Sequence, residues 1–420
     1  MSGTTARDTI RAALAMLGVE RLALMIHNSS FPSLAEEELG CGTPFSHGGR
    51  AFVRFVHELG FDTLILGPQG QPQLTQRSPY KARSSSRSLL NFAPLPLCSP
   101  RQQLVTAAHL QRLVQGAPVS QGGAQRDRVD FAYAWNSVHG LLEGAHAALS
   151  QADETRTEVR SAFRDYVDTM LVPGAWLQRD ALCAALRETY GSDDSQRWPP
   201  SCQELLLPDA VKSDARVRRL QALAATMPRL VERFAFGQFL MQRQHGDLRA
   251  EASALGLALF AEVIGPLGES EIDDVSLVTH LQNDFDGLIF VDAARPGPSG
   301  WATTSTYFDT PVWAQTNSGD RGVQCIEQLS RVFDAAASHV AVCFSDLFGL
   351  TESFAGPQTA PDMQFTLRVP SDYARSYYAN AAGGRALDLG KALASALRRR
   401  IGSSKAIALA NQLELQASGS

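Results

Sequence analysis

The sequence predicts an α/β protein built around a parallel sheet, on three observations. Short apolar runs at residues 22–26 and 63–66 flank an amphipathic helical pattern over residues 48–60, and this order is typical of a parallel α/β unit. A third apolar run, residues 287–291, is bounded by turn formers and has the pattern of a strand buried on both faces. Helical periodicity dominates the middle of the chain.

The first helix and its neighbours follow from local signals. Asp8 is expected to cap a helix whose apolar residues recur at helical spacing and which ends at Gly18. The strand at 22–26 follows directly. The second helix, 48–60, closes at Gly60, and the strand at 63–66 ends in a Gly-Pro turn.

The rest of the chain divides into a helical insertion and a shorter α/β part. Residues 115–127 are a linker by composition, and the Ser-rich stretch around Ser85 with Arg83 and Arg87 is predicted to be solvated and mobile. The predicted helices are 129–149, 155–170, 178–189, 214–255, 322–336 and 383–400, and the remaining strands are 257–261, 287–291 and 339–344. The expected domains are 1–114 (first part of the sheet), 115–255 (helical subdomain), 256–401 (rest of the sheet) and 402–420 (a frayed tail).

Composition and charge define the class of protein. The 420 residues are 44% hydrophobic and 19% charged, enough for one large core or two smaller ones. A net charge of −5 gives no reason to expect nucleic acid or an anionic membrane as partner. The six cysteines are scattered without metal-ligand spacing, which favours a reducing compartment, and the first apolar run is too short to span a membrane. We expect a cytoplasmic protein without metal or cofactor.

Asp292 is the first candidate for chemistry, because it directly follows the strand at 287–291. In a (β/α) barrel, an acid at the carboxyl end of a strand points into the active-site mouth. Spacing alone favours a simpler interpretation, in which Asp292 caps the next helix or starts a turn.

The stretch 284–297 resembles the Phe-Asp-x-x-Arg-x-Asp-x-x-Arg segment of the amylomaltase (4-α-glucanotransferase) family. Asp286 and Asp292 match its two acids, and Arg295 matches its last Arg, whereas Phe290 stands where the family has its first Arg. Other matching segments are Ile26-His27-Asn28-Ser29-Ser30-Phe31, Leu66-Gly67-Pro68-Gln69-Gly70, Ser78-Pro79-Tyr80, Thr306-Tyr307-Phe308-Asp309-Thr310-Pro311 and Ser345-Asp346-Leu347-Phe348-Gly349-Leu350.

The resemblance implies a TIM-type (β/α) barrel with an inserted helical subdomain, and it implies roles for six residues. The implied catalytic residues are Asp292 as nucleophile and Asp309 as stabiliser, next to Phe308 in place of the family's His. The implied substrate-binding residues are Tyr80, Glu262, Arg295 and Asp346. A Tyr after Pro, such as Tyr80, is otherwise simply a surface turn residue.

The region after Asp292 is too short for a complete barrel. Only 46 residues separate Asp292 from His339, and a βα unit needs roughly 30. The family's acid/base motif, Ala-Glu-Asp-Leu-Gly, does not occur in the sequence. We therefore predict a barrel that is incomplete after strand four. Its open edge must be covered by a helix, a loop or a second subunit, the last making a homo-oligomer.

Three functions fit these observations. The first is a working 4-α-glucanotransferase in which Glu262 or Asp346 substitutes for the missing acid. The second, which we favour, is a non-catalytic descendant that binds α-1,4-glucan (maltodextrin) or a protein partner. The third is unrelated chemistry, and no P-loop, dinucleotide fingerprint, nucleophile elbow or metal-ligand cluster supports it.

Overall fold

The structure, a computed structural model, has a curled six-stranded parallel sheet. It describes residues 5–72, 77–81, 85–117, 128–151, 156–172, 175–203, 214–265, 281–292, 300–314, 321–356 and 358–419. The strands are β1 (Arg21–Ile26), β2 (Thr63–Leu66), β3 (Ala258–Gly265), β4 (Gly287–Asp292), β5 (Ala302–Thr303) and β6 (His339–Cys343).

The strand order is β4-β3-β2-β1-β6-β5, and every pair is parallel. In the part of the chain that the structure describes, no strand pairs with the outer edge of β4 or β5. The sheet is therefore an incomplete barrel, and the predicted fold class is confirmed.

Helices cover the sheet and form the insertion. They are α1 (Ala6–Met16), α2 (His47–Glu58), α3 (Ala107–Gly116), α4 (Phe131–Leu149), α5 (Thr157–Met170), α6 (Trp176–Tyr190), α7 (Pro200–Gln203), α8 (Asp214–Ala224), α9 (Pro228–Leu255), α10 (Arg321–Ser330), α11 (Phe344–Phe348), α12 (Tyr373–Ala382), α13 (Leu389–Arg400) and α14 (Ser404–Gly419). None of the described helices is long and apolar enough to cross a membrane.

The two inner strands are buried as their sequences predict. All four residues of β2 are buried, and so are the five residues of β1 after Arg21. A parallel sheet covered on both faces favours continuous apolar runs over alternation, which explains why these strands were visible in the sequence.

Two local predictions differ from the structure. Thr5, not Asp8, is the N-cap of α1: the Thr5 hydroxyl accepts the Asp8 N–H, and the Asp8 carboxylate accepts the Thr5 N–H in return. The helix predicted over 214–255 is two helices, because Pro228 has no N–H to continue a helix and instead begins α9.

The C-terminal residues form a helix instead of the frayed tail expected at 402–420. Ala406 and Ala410 are fully buried in α14, and Leu413 is 2% exposed. Arg398 at the end of α13 pairs with Glu414 and also donates to the Asn411 side chain at 2.9 Å. The final Ser-Gly-Ser residues gave a misleading signal, since the small apolar residues before them supply a packing face.

Candidate functional site

The candidate site lies at the end of the sheet where the strands have their carboxyl termini, which we call the mouth. Glu262, near the end of β3, is 2% exposed. The hydroxyl of Tyr80, in the loop after β2, donates to Glu262 Oε2 at 2.6 Å. The structure thus brings together two residues that the sequence implicated separately, 182 positions apart.

Glu262 lies in an apolar environment that favours its neutral form. Burial raises its pKa from 4.5 to about 7, and the hydrogen bond from Tyr80 offsets only part of this effect. Burial and the neighbouring Glu262 both raise the pKa of Tyr80 well above its ordinary value. A carboxyl group with a pKa near 7 can exchange a proton at neutral pH, and one of its two oxygens, Oε2, is already bound by Tyr80.

Aromatic rings of the chain itself fill the mouth above this pair. The ring centroid of Tyr80 is 5.1 Å from that of Phe308 and 6.4 Å from that of Phe365. Phe354 lies 5.5 Å from Phe365 and 5.4 Å from Tyr307. These rings form a continuous layer, which we call the aromatic layer: Tyr80, Tyr307, Phe308, Phe354 and Phe365.

Two polar groups at the aromatic layer have no hydrogen-bond partner among the described residues. They are the hydroxyl of Tyr307, which belongs to the layer, and Nε2 of His27, which packs against it. His27, just after β1, is 5.7 Å from Phe354 between ring centroids. The backbone N–H of Ser29 donates to its Nδ1 at 3.3 Å. Burial lowers the pKa of His27 to about 4, so the ring is neutral at pH 7.

A small cavity lies beside the aromatic layer. It is lined by residues that include His27, Arg77 and Asn91, and its interior measures about 10 Å³. That is room for about one water molecule, so a sugar ring does not fit into this cavity.

Asp309 and Asp346, the other two implied acids, lie on the far side of the mouth. Asp309 is exposed, and its Oδ2 accepts the N–H of Thr306 at 2.7 Å, which closes a local turn. Asp346 is fully buried, and the Ser305 hydroxyl donates to its Oδ2 at 2.5 Å. Burial raises the pKa of Asp346. In this conformation, Asp346 is closed to solvent and holds the turn after β5.

Asp292 is the last residue of β4 and pairs with Gly265. In the same register, Glu262 pairs with Ile289. The side chain of Asp292 and all of Arg295 lie outside the described residues, so their implied roles stay predictions.

Asp286 marks the opposite end of β4. Its Oδ2 accepts the N–H of Leu259 at 2.9 Å, and its Oδ1 pairs with Arg249 at 3.1 Å. Since the residue precedes the strand, it fastens the start of β4 to β3 and α9. It has no part in the mouth.

The segment around Arg87, predicted to be solvated, is instead buried. Arg87 is 3% exposed, and its Nη2 donates to Asp284 Oδ2 at 2.6 Å. The N–H of Ser86 donates to the buried Asp180 at 2.8 Å. These partners are distant in sequence, so local composition gave no hint of the burial. Arg83 lies outside the described residues.

Several residues of the mouth were missed by sequence reasoning. Phe354 and Phe365 stand alone in irregular sequence, and no periodic pattern marks them. Tyr307 lies inside a matched segment, but the resemblance implies a role only for Asp309 in that segment. No group of three or more metal-ligating side chains is found among the described residues.

Comparisons with known proteins agree with this architecture. A family model described as 4-alpha-glucanotransferase (glycoside hydrolase family 77) matches residues 26–265 and ends where β3 ends. A 4-alpha-glucanotransferase of Thermus thermophilus is 29% identical over 298 residues, which are 69% of this chain and 51% of the relative. The chain thus spans about half the length of that relative.

Two solved structures share the fold. The amylomaltase of Streptococcus agalactiae in complex with acarbose has a TM-score of 0.65 at 11% identity, covering 95% of this chain and 99% of that one. The amylomaltase of Corynebacterium glutamicum has a TM-score of 0.54 at 12% identity, covering 98% of this chain and 76% of that one. The family match covers more than half of the sequence, so the chain belongs to the 4-alpha-glucanotransferase family.

Proposed function

We propose that this protein is a non-catalytic member of its family, which has lost transglycosylase activity and acts by binding α-1,4-glucan or a protein partner. The observation that carries the proposal is the filled mouth. The aromatic layer occupies the space above Glu262, and the cavity beside it has room for about one water molecule.

The chemistry of glycosyl transfer supports the same conclusion. A retaining reaction needs two carboxyl groups about 5 to 5.5 Å apart on either side of the bond, one as nucleophile and one as proton donor. Glu262 is a buried acid in the mouth with a pKa of about 7, and its Oε2 is engaged by Tyr80. The sequence lacks the family's acid/base motif, Ala-Glu-Asp-Leu-Gly, which would supply the proton donor.

The residue two positions before Asp292 adds to this argument. A cation there would favour the ionised form of a nucleophilic carboxylate. The chain has Phe290 instead, which is 50% exposed on the edge strand β4 and carries no charge. General acid/base catalysis contributes typically 10²- to 10⁴-fold to a rate. Losing the proton donor and the cation together leaves no useful turnover.

One observation favours the alternative, an active 4-α-glucanotransferase. The pKa of Glu262, raised to about 7 by burial, is suited to a general acid at neutral pH. For this alternative to hold, the mouth must open far enough to admit a sugar, and Tyr80 must release Glu262.

Incubation with maltotriose separates the two functions. We expect no formation of glucose and longer dextrins at high protein concentration, as followed by product chromatography, because the sequence lacks the acid/base motif and has Phe290 in place of the cation before Asp292. Turnover that disappears in both Asp292→Asn and Glu262→Gln would establish the alternative. The variant Glu327→Gln, which removes an exposed carboxylate of α10 that pairs with Arg331 at 3.9 Å, serves as a control for effects of altered charge.

A further inference from the structure

The mouth is covered by one irregular segment, residues 351–356 and 358–369, which we call the strap. Its described residues form no helix and only an isolated bridge between Leu367 and Arg128. The strap contributes Phe354 and Phe365 to the aromatic layer. Within the strap, the N–H of Phe365 donates to the carbonyl of Phe354 at 2.7 Å, which holds the two rings together over the mouth.

Polar contacts with the rest of the chain fasten the strap along its length. The N–H of Val129 donates to the carbonyl of Thr366 at 2.6 Å, the N–H of Ala355 donates to the carbonyl of Tyr307 at 2.9 Å, and Arg77 Nη1 donates to the carbonyl of Asp362 at 2.8 Å. Two ion pairs also hold it: Arg128 with Glu352, which is 64% exposed, and Arg368 Nη2 with Glu38 Oε2 at 2.9 Å, where the arginine is 3% exposed. The ion pair at residue 352 is therefore the more accessible to solvent.

The backbone at the centre of the strap is strained. Phe365 has φ of +61°, in the left-handed region that a bulky side chain rarely occupies. It is nonetheless 4% exposed, so the surrounding contacts hold it there. Such strain persists only where the surroundings impose it, and it is relieved when the segment moves.

The strap provides no hydrogen-bond partner, among its described residues, for two polar groups beneath it. The Tyr307 hydroxyl and His27 Nε2 are buried without a hydrogen-bond partner among the described residues, and both residues pack against the Phe354 ring. A phenyl ring offers these groups no conventional acceptor. Buried polar groups in native proteins are normally hydrogen-bonded, so these two groups beneath the strap fit a site that also binds a ligand.

We propose that the strap is a displaceable cover over the mouth, closed in this structure and opened by a neutral polyhydroxy ligand that satisfies the polar groups beneath it. Opening relieves the strain at Phe365 and exposes the Tyr307 hydroxyl and His27 Nε2 to ligand hydroxyls. The closed cover competes with the ligand for the same space, so it lowers the apparent affinity of the protein.

This inference rests on the proposed function for the identity of the site, but it does not depend on the loss of turnover. Hydrogen exchange followed by mass spectrometry or NMR tests the motion in the unmodified protein. We expect the amides of Ala355 and Phe365, both hydrogen-bonded at 2.9 Å or less, to exchange at least about 100-fold faster than those of β1, as in local opening. Exchange as slow as that of β1 would overturn the proposal.

Calorimetry with maltotriose tests the competition. Phe365→Ala removes the ring and keeps the cost of the positive φ in the closed state, so it should bind maltotriose at least about tenfold tighter than the unmodified protein, as expected when a minor open state becomes dominant. The matched control is Tyr378→Ala, which removes a half-exposed ring that contacts Phe55 on another surface. Equal affinity of Phe365→Ala and the unmodified protein, or no binding by either, contradicts the cover. Turnover by the unmodified protein would instead overturn only the proposed function.

Discussion

Glu262→Gln is expected to stabilise the protein at alkaline pH. The amide keeps the shape of the side chain and its acceptor for the Tyr80 hydroxyl, but it cannot ionise. The pKa of Glu262 is about 7 in the folded protein and 4.5 when exposed, so the folded state binds the proton more tightly. As pH rises between these values, the unfolded state loses the proton first, and the stability of the unmodified protein falls relative to the variant.

The size of this effect follows from the shift in pKa. A shift of one unit corresponds to 1.36 kcal/mol, so the free energy of unfolding of Glu262→Gln should exceed that of the unmodified protein by about 3 kcal/mol above pH 7. Below pH 4.5 the difference should vanish. Urea unfolding of both proteins at pH 4.5, 6 and 8 measures it.

The comparison between two proteins removes the contributions of other titrating groups. Glu327→Gln, at a half-exposed position paired with Arg331 at 3.9 Å, is a control that should show no such pH dependence. If Glu262→Gln and the unmodified protein keep a constant difference from pH 4.5 to 8, Glu262 is ionised in an open, hydrated mouth. The closed mouth would then be wrong.

Arg87→Met is expected to lower the free energy of unfolding by about 3 kcal/mol, the lower end of the range for breaking a buried ion pair. Arg87 Nη2 lies 2.6 Å from Asp284 Oδ2, and the exposed fractions of the two side chains are 4% and 19%. The partial exposure of Asp284 is the reason for choosing the lower end. Met fills much of the volume, so the loss reports on the charge and its hydrogen bonds.

The backbone of the same arginine is bonded to helix α9 of the helical insertion. Its backbone N–H donates to Gln238 Oε1 at 2.9 Å, and Gln238 Nε2 donates back to the Arg87 carbonyl at the same distance. Arg331→Met is the matched control, because its partner Glu327 is 57% exposed and 3.9 Å away, so a change within about 0.5 kcal/mol is expected. A loss at Arg87 no larger than that of the control would mean that the pair is hydrated, and that the solvated segment predicted from sequence was correct.

The parallel sheet could be predicted from sequence because its signal is local. β1, β2 and β4 are continuous apolar runs with turn formers at their ends, and each lies within a residue or two of its predicted position. The break between two helices at Pro228 has a local signal too, since a proline inside a helical pattern ends or begins a helix, although we predicted one helix there. The C-terminal helix was missed because small residues dominate its buried face.

The contents of the mouth and the burial of Arg87 could not be predicted, because both depend on contacts between distant residues. The Tyr80–Glu262 hydrogen bond in the mouth spans 182 positions, and the Arg87–Asp284 pair before β4 spans 197. Nothing near Phe354 or Phe365 in the sequence indicates that the two rings meet. Matching motifs identified Tyr80 and Glu262 as site residues, but only the structure shows that the Tyr80 hydroxyl is hydrogen-bonded to the Glu262 carboxyl group.

Calorimetric titration of maltoheptaose into the unmodified protein tests most directly whether the chain fills its own sugar site. The closed mouth predicts weak binding at most, with a dissociation constant on the order of millimolar and a free energy near −4 kcal/mol. The Tyr80 ring is already packed against Phe308 and its hydroxyl bound to Glu262, so neither is free to receive a sugar. Micromolar binding that is abolished by Tyr80→Ala would show that the mouth is open in solution and would contradict the account.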